Sequence, residues 1–242
     1  MRFTGAFLTL CLSVGLAQAA PDYAREKKWA DEILPAIMTG DAQYLEQDDG
    51  HRFLTLYAAG AADKPAVVLV HGIGVHPDWG LIGMLRQRLT DAGHATLSVQ
   101  MPVLAADAKG EAYLPTFDLA AKRLARAVDW LGTKGYDRVI IVSHSLGSRM
   151  THRYLAGTPA DRVKGWVALS MPGTEDYAGL RVRILDLYGD SDLAHVVKNA
   201  PARARGLAQA GSAQQRMAGA DHFFEGRDDA LYGAVLDFLR QP

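Results

Sequence analysis

Val67-Val68-Leu69-Val70 is an unbroken apolar run that stops at His71-Gly72, and similar runs return at Ala95–Val99, Arg138–Val142, Val163–Leu169 and Val182–Leu187. A strand of this composition is buried on both faces, as in a parallel sheet covered by helices. Helical spacing fills several of the intervals, notably Leu81 to Ala92 and Phe117 to Leu131. The alternation restricts the chain to an α/β architecture, a doubly wound sheet with about five parallel strands.

A short strand over Gln214 to Met217 and an amphipathic helix carrying Leu231, Val235, Phe238 and Leu239 are predicted to close the sheet. At the other end, Asp22 to Met38 has helical spacing through Trp29, Ile33 and Ile37. His51 to Tyr57 alternates polar with apolar, which predicts a half-buried antiparallel edge strand. Neither repeats nor Pro/Gly/Ser linkers interrupt residues 20–242, so a single domain is expected.

Residues 1–19 read differently. Arg2, an apolar run from Ala6 to Leu16 and Ala17-Gln18-Ala19 form the pattern of a secretory signal peptide. The run falls short of the roughly 20 residues a transmembrane helix needs. Cys11, the only cysteine, lies inside the run behind Leu10, a poor position for lipid attachment, and would leave with the signal. A periplasmic or secreted product is expected, with no stable membrane anchor. The formal charge of −1 and the absence of a basic run argue against a nucleic acid partner. There is no Cys/His metal spacing, phosphate loop or dinucleotide fingerprint, so neither metal nor cofactor is expected.

The chemistry concentrates where a buried strand meets a helix. Val139-Ile140-Ile141-Val142 leads into Ser143-His144-Ser145-Leu146-Gly147, a small-x-Ser-x-small turn. Such a turn holds its serine in strained backbone angles with the hydroxyl exposed, and large side chains two positions away would collide. Gly147 meets that need. Ser143 stands where glycine is usual, a tolerable departure because serine is small. A serine hydroxyl is a weak nucleophile that needs a base and a carboxylate to orient the base. Downstream, Tyr188-Gly189-Asp190-Ser191-Asp192 leaves a buried strand, and Gly219-Ala220-Asp221-His222-Phe223-Phe224 follows the last short strand.

Together the strand-His-Gly loop, the serine turn, the Gly-x-x-Asp loop and the Gly-Ala-x-His-Phe-Phe segment resemble the α/β-hydrolase superfamily over nearly all of residues 20–242. The stretch His71-Gly72-Ile73-Gly74-Val75-His76-Pro77-Asp78-Trp79 is similar to one in small exported bacterial members of unassigned substrate. The resemblance implies an α/β-hydrolase fold with an antiparallel edge strand. It also implies a catalytic set of Ser145 as nucleophile, His222 as base and Asp192 as acid, with Asp190 as the alternative acid. Both acids also suit helix capping, Asp190 the better of the two. Oxyanion donors are expected at the backbone N–H of Leu146 and of Ile73.

Only Ser170 to Arg181 separates two of the strands where relatives insert a lid, so a minimal or absent cap is expected. That favours small or exposed ester groups. His71, Gly72, His76, Trp79, His144 and Met171 are candidate substrate-binding residues, Met101 a further lining candidate, and His195 pocket wall or surface. Arg149, His152 and Arg153 follow the serine turn and read as an ion-paired helix face rather than an anion grip. The expected activity is hydrolysis of a carboxylic ester or related acyl bond, thioester and amide included. A catalytically silent binding module and a lyase or acyltransferase are the competing readings.

Overall fold

The computed structural model describes residues 20–241; the signal-peptide reading of residues 1–19 lies outside them. Helices α1 (Tyr23–Ile33), α2 (Gly80–Asp91), α3 (Phe117–Thr133), α4 (Leu146–Leu155), α5 (Ala194–Ala204) and α6 (Asp228–Arg240) surround eight strands. These are β1 (Asp41–Glu46), β2 (Arg52–Ala58), β3 (Ala66–Val70), β4 (Thr96–Val99), β5 (Val139–His144), β6 (Val163–Leu169), β7 (Arg183–Gly189) and β8 (Ala213–Met217). They form one sheet in the order β1-β2-β4-β3-β5-β6-β7-β8. From β4 through β8 every pairing is parallel, while β1–β2 and β2–β4 are antiparallel.

Period-two alternation divides the apolar runs between two cores. Val68, Val70, Ile141, Trp166 and Ala168 face Leu124, Val128 and Leu131 of α3 and Leu146 and Met150 of α4. Val67, Leu69, Ile140, Val142 and Val167 face Leu81, Ile82 and Leu85 of α2 and Leu231, Val235 and Phe238 of α6. Both faces of the central strands are therefore covered.

Two expectations are corrected at the antiparallel end. The strand read over His51 to Tyr57 is not the edge, because β1 lies outside it in register from Asp41↔Tyr57 to Glu46↔Arg52. Nor is it half-buried: Phe53 joins the large core, and Leu54 and Leu56 pack beneath Ala30 of α1. Thr55 is the polar residue that imitated an outward position, but it is buried and its hydroxyl donates to the Gln43 carbonyl. Among the described residues, 170–182 contain no helix, so no cap rises over the C-terminal ends of β6 and β7.

Candidate active site

Ser145 sits between β5 and α4 with φ 54 and ψ −125, a left-handed backbone held by its N–H donating to the Leu169 carbonyl at 2.9 Å. A Cβ at Gly147 would lie 2.2 Å from the His71 carbonyl oxygen, so no side chain fits there. Ser143 does more than fit. Its hydroxyl accepts from Trp166 Nε1 at 2.7 Å and donates to Ser148 Oγ at 3.1 Å, a small polar knot tying β5, β6 and α4 together.

Two loops converge on Ser145. His222, after β8, places Nε2 at 2.9 Å from Ser145 Oγ and Nδ1 at 2.7 Å from Asp192 Oδ1, in the loop after β7. The carboxylate fixes the tautomer: Nδ1–H donates to Asp192, leaving Nε2 to accept from the serine hydroxyl. The Leu193 N–H donates to the same oxygen at 2.6 Å, and Ser170 Oγ donates to the other at 2.5 Å. Burial pushes the Asp192 carboxyl up, but hydrogen bonds from His222 and Ser170 outweigh it and hold the group below the usual carboxylate range. Asp190 instead accepts from the Gly219 N–H at 2.8 Å, pinning the two loops together, and does not reach His222 or cap α5. Close packing does the rest, since a Cβ on Gly189 would lie 2.0 Å from the Ala220 carbonyl oxygen.

Over the serine runs the Gly72–Asp78 loop. A Cβ on Gly72 would stand 3.3 Å from Ser145 Cβ, and the left-handed Gly74 (φ 64) turns the chain away. Arg25 of α1 clamps this loop, donating to the Gly74 carbonyl at 3.2 Å and the Leu104 carbonyl at 2.7 Å. Leu146 opens α4, so its N–H lies among the unpaired donors of a helix N-terminus.

The cavity beside Ser145 has a volume of about 510 Å³ and is lined by Gly72, Ile73, Trp79, His144, Leu146 and His195, among others. His71, His76, Met101 and Met171 are corrected: they do not line it. His71 is buried behind the loop, its Nδ1–H donating to the Gly72 carbonyl and its Nε2 accepting from the Met101 N–H. His76 turns toward Trp29, and Met101 and Met171 are core. Val75, Gly110, Glu111, Pro172, Leu193 and Phe223 were not foreseen on the wall. Phe223 had a signal in its position next to His222; Glu111, from the β4–α3 connection, had none. Arg149 lines the cavity but is ion-paired with Glu175 at 2.5 Å, and Arg153 pairs with Asp118 at 2.7 Å. His152 faces the Asp176 carbonyl.

Burial pushes His71 down to about 3 and His144 down to about 4, so both stay neutral at pH 7. In the unfolded chain both ionise near the ordinary value of about 6.5. Below that pH unfolding takes up protons, so stability contributed by the two neutral rings is full above about pH 6.5 and falls as pH approaches 4 and 3. Urea unfolding is expected to show lower stability at pH 5 than at pH 7; equal stability would contradict the two buried neutral rings.

No group of three or more His, Cys, Asp or Glu able to hold a metal occurs among the described residues, and no described helix is long and apolar enough to cross a membrane. A family model described as a protein of unknown function (DUF3530) matches residues 16–115. ABHD14B of Rattus norvegicus is 29% identical over 140 residues, which take in 55% of this chain and 64% of that protein. Among solved structures, ATU1826 of Agrobacterium tumefaciens, described as a protein of unknown function of the α/β-hydrolase type, superposes with a TM-score of 0.67. It is 20% identical, over 82% of this chain and 94% of the other. XC6422 of Xanthomonas campestris, a serine hydrolase without a lid, superposes with a TM-score of 0.62 at 17% identity, over 84% of this chain and 95% of its own.

Proposed function

We propose that this chain, whose fold is that of the α/β-hydrolases, is a serine hydrolase that cleaves a carboxylic ester or related acyl bond. The observation that carries the proposal is the hydrogen-bonded line from Ser145 Oγ through His222 to Asp192. Fold alone would not carry it, since function on a shared fold is decided at the site.

In the proposed reaction Ser145 Oγ attacks the acyl carbon while His222 Nε2 takes its proton. The N–H groups of Leu146 and Ile73 receive the developing oxyanion, and His222 returns the proton to the leaving oxygen. Water then attacks the acyl-enzyme with His222 again as base, releasing the acid and restoring the serine. Asp192 keeps the imidazole in its working tautomer throughout. Ile73, Trp79, Leu193 and Phe223 are half-exposed apolar walls, and Arg149 is paired with both Glu175 and the wall residue Glu111, so an uncharged, compact acyl or aryl group suits the cavity. The rat relative's name points to protein-lysine deacylation, an acyl transfer to water of the same class. The signal pattern of residues 1–19 supports export to the periplasm or beyond as part of this reading.

Pre-steady-state hydrolysis of a p-nitrophenyl ester tests it. A burst of one nitrophenol per protein, followed by a slower steady rate, is expected of an acyl-enzyme; no turnover of any short-chain ester or thioester would oppose the proposal. The same assay separates the two acids. Asp192→Ala is expected to lower kcat about 10,000-fold, as loss of the orienting carboxylate does elsewhere. Asp190→Ala removes a hydrogen bond to the Gly219 N–H and is expected to cost less than about tenfold. The reverse ranking would make Asp190 the acid.

A further inference from the structure

Ser170 follows β6 directly and has a left-handed backbone with φ 49, which L-residues other than Asn and Asp rarely adopt. It is fully buried, its N–H donates to the Leu187 carbonyl at 2.9 Å, and its hydroxyl donates to Asp192 Oδ2 at 2.5 Å. The carboxylate is thereby held at both ends. Oδ1 takes the His222 Nδ1–H and the Leu193 N–H, and Oδ2 takes the hydroxyl from the neighbouring strand end.

We propose that Ser170 is a positioning residue for the Asp192–His222 pair, and that its strained backbone is retained because a hydroxyl at this point fixes the outer carboxylate oxygen. The proposal rests on the triad reading above. Glycine would occupy the left-handed conformation without strain, yet it has no group to reach Asp192. A carboxylate tethered through Oδ1 alone turns about its Cβ–Cγ bond and carries the imidazole with it. Ångström-scale errors in the aim of Nε2 at Ser145 are enough to slow the proton transfer. Strain kept at a site where it orients a reacting group is the expected pattern when activity and stability compete. Ser170 also helps keep the carboxyl ionised, since its hydrogen bond is among those that offset the desolvation of Asp192.

Three variants of the full chain, Ser170→Gly, Ser170→Ala and Ser170→Cys, separate positioning from a plain structural role. Each is measured for its rate of reaction with a fluorophosphonate, for its melting temperature, and for the downfield proton resonance of the His222 Nδ1–H. Glycine and alanine are expected to slow the reaction by about tenfold to a hundredfold, the weight of one hydrogen bond to a charged group. Cysteine, a weak donor of similar size, is expected to fall between them and the wild type. Glycine is expected to melt above alanine, because alanine keeps a Cβ at the left-handed position. The resonance is expected to move in the glycine variant, since a carboxylate that loses one donor accepts more strongly from the two that remain. Rates for glycine within about twofold of the wild type would overturn the proposal. A wild type that does not react at all would remove the triad reading; the resonance then decides separately, and an unmoved signal in Ser170→Gly overturns the positioning role.

Discussion

His222→Ala is expected to lower kcat/KM for an ester substrate by about 10,000-fold or more, with little change in the melting temperature. Among the described residues the imidazole is the only side chain within hydrogen-bonding distance of Ser145 Oγ, at 2.9 Å, so its loss leaves the hydroxyl without a base. The proposed oxyanion donors and the cavity survive the substitution, and the residual rate reports what they contribute alone. The fold survives as well. The backbone carbonyl of His222, which accepts from His144 Nε2 at 2.8 Å, is untouched, and Asp192 keeps its bonds from Ser170 and the Leu193 N–H. Steady-state kinetics beside thermal melting check the point. A fall of less than about tenfold would place the base elsewhere. His144 and His195 both line the cavity and would be the next residues to replace.

Asp186→Ala is expected to destabilise the protein by about 3–5 kcal/mol, the cost of leaving one partner of a buried ion pair uncompensated. Asp186 lies in β7 and Arg203 in α5; both are fully buried, and Nε stands 2.9 Å from Oδ2. Gln214 of β8 donates to the same oxygen at 2.7 Å, and the guanidinium also donates to the Val196 carbonyl. Burial pushes the Asp186 carboxyl up against the pull of Arg203. The pair joins β7 to the helix that begins just beyond Asp192, so the loop holding the proposed acid hangs between two tethered elements. Urea unfolding of the single variant against Asp186→Leu with Arg203→Met distinguishes the causes. The double variant is expected to recover most of the stability, because it buries no charge. A single variant as stable as the wild type would mean that water reaches Arg203 and relieves it.

The central sheet was legible because a parallel strand covered on both faces leaves a mark in composition that little else produces. Val67–Val70 and Val139–Val142 are such marks, and the observed strands enclose them. The turn at Ser145 was legible for a similar reason: the collision that forbids a Cβ at Gly147 is local. The outer strands had no such mark. Asp41–Glu46 buries only Leu45 and contains no β-branched residue, and it becomes a strand only because β2 offers it an unpaired edge. Thr55 shows the opposite error, a polar residue inside the core whose hydroxyl is satisfied by a carbonyl across the strand pair.

At the site, the residues that meet were visible as motifs, whereas the residues that shape the space were not. Met171 and His76 lie near the proposed catalytic residues in sequence or loop, but Met171 is drawn into the large core and His76 turns to Trp29. Glu111 enters from a connection with no motif of its own, brought in by the path of the chain between β4 and α3. Ser170 carries the same lesson, since neither its left-handed backbone nor its bond to a residue 22 positions away can be read from one letter in a loop.

The most direct measurement is the intact mass of the protein after exposure to a fluorophosphonate, for the wild type and for Ser145→Ala. An activated serine displaces fluoride and gains one phosphonyl group, whatever its natural substrate. A single adduct on the wild type, mapped to Ser145 and absent from Ser145→Ala, is the predicted result. A folded wild type that stays unmodified, or an adduct that persists in Ser145→Ala, would contradict it.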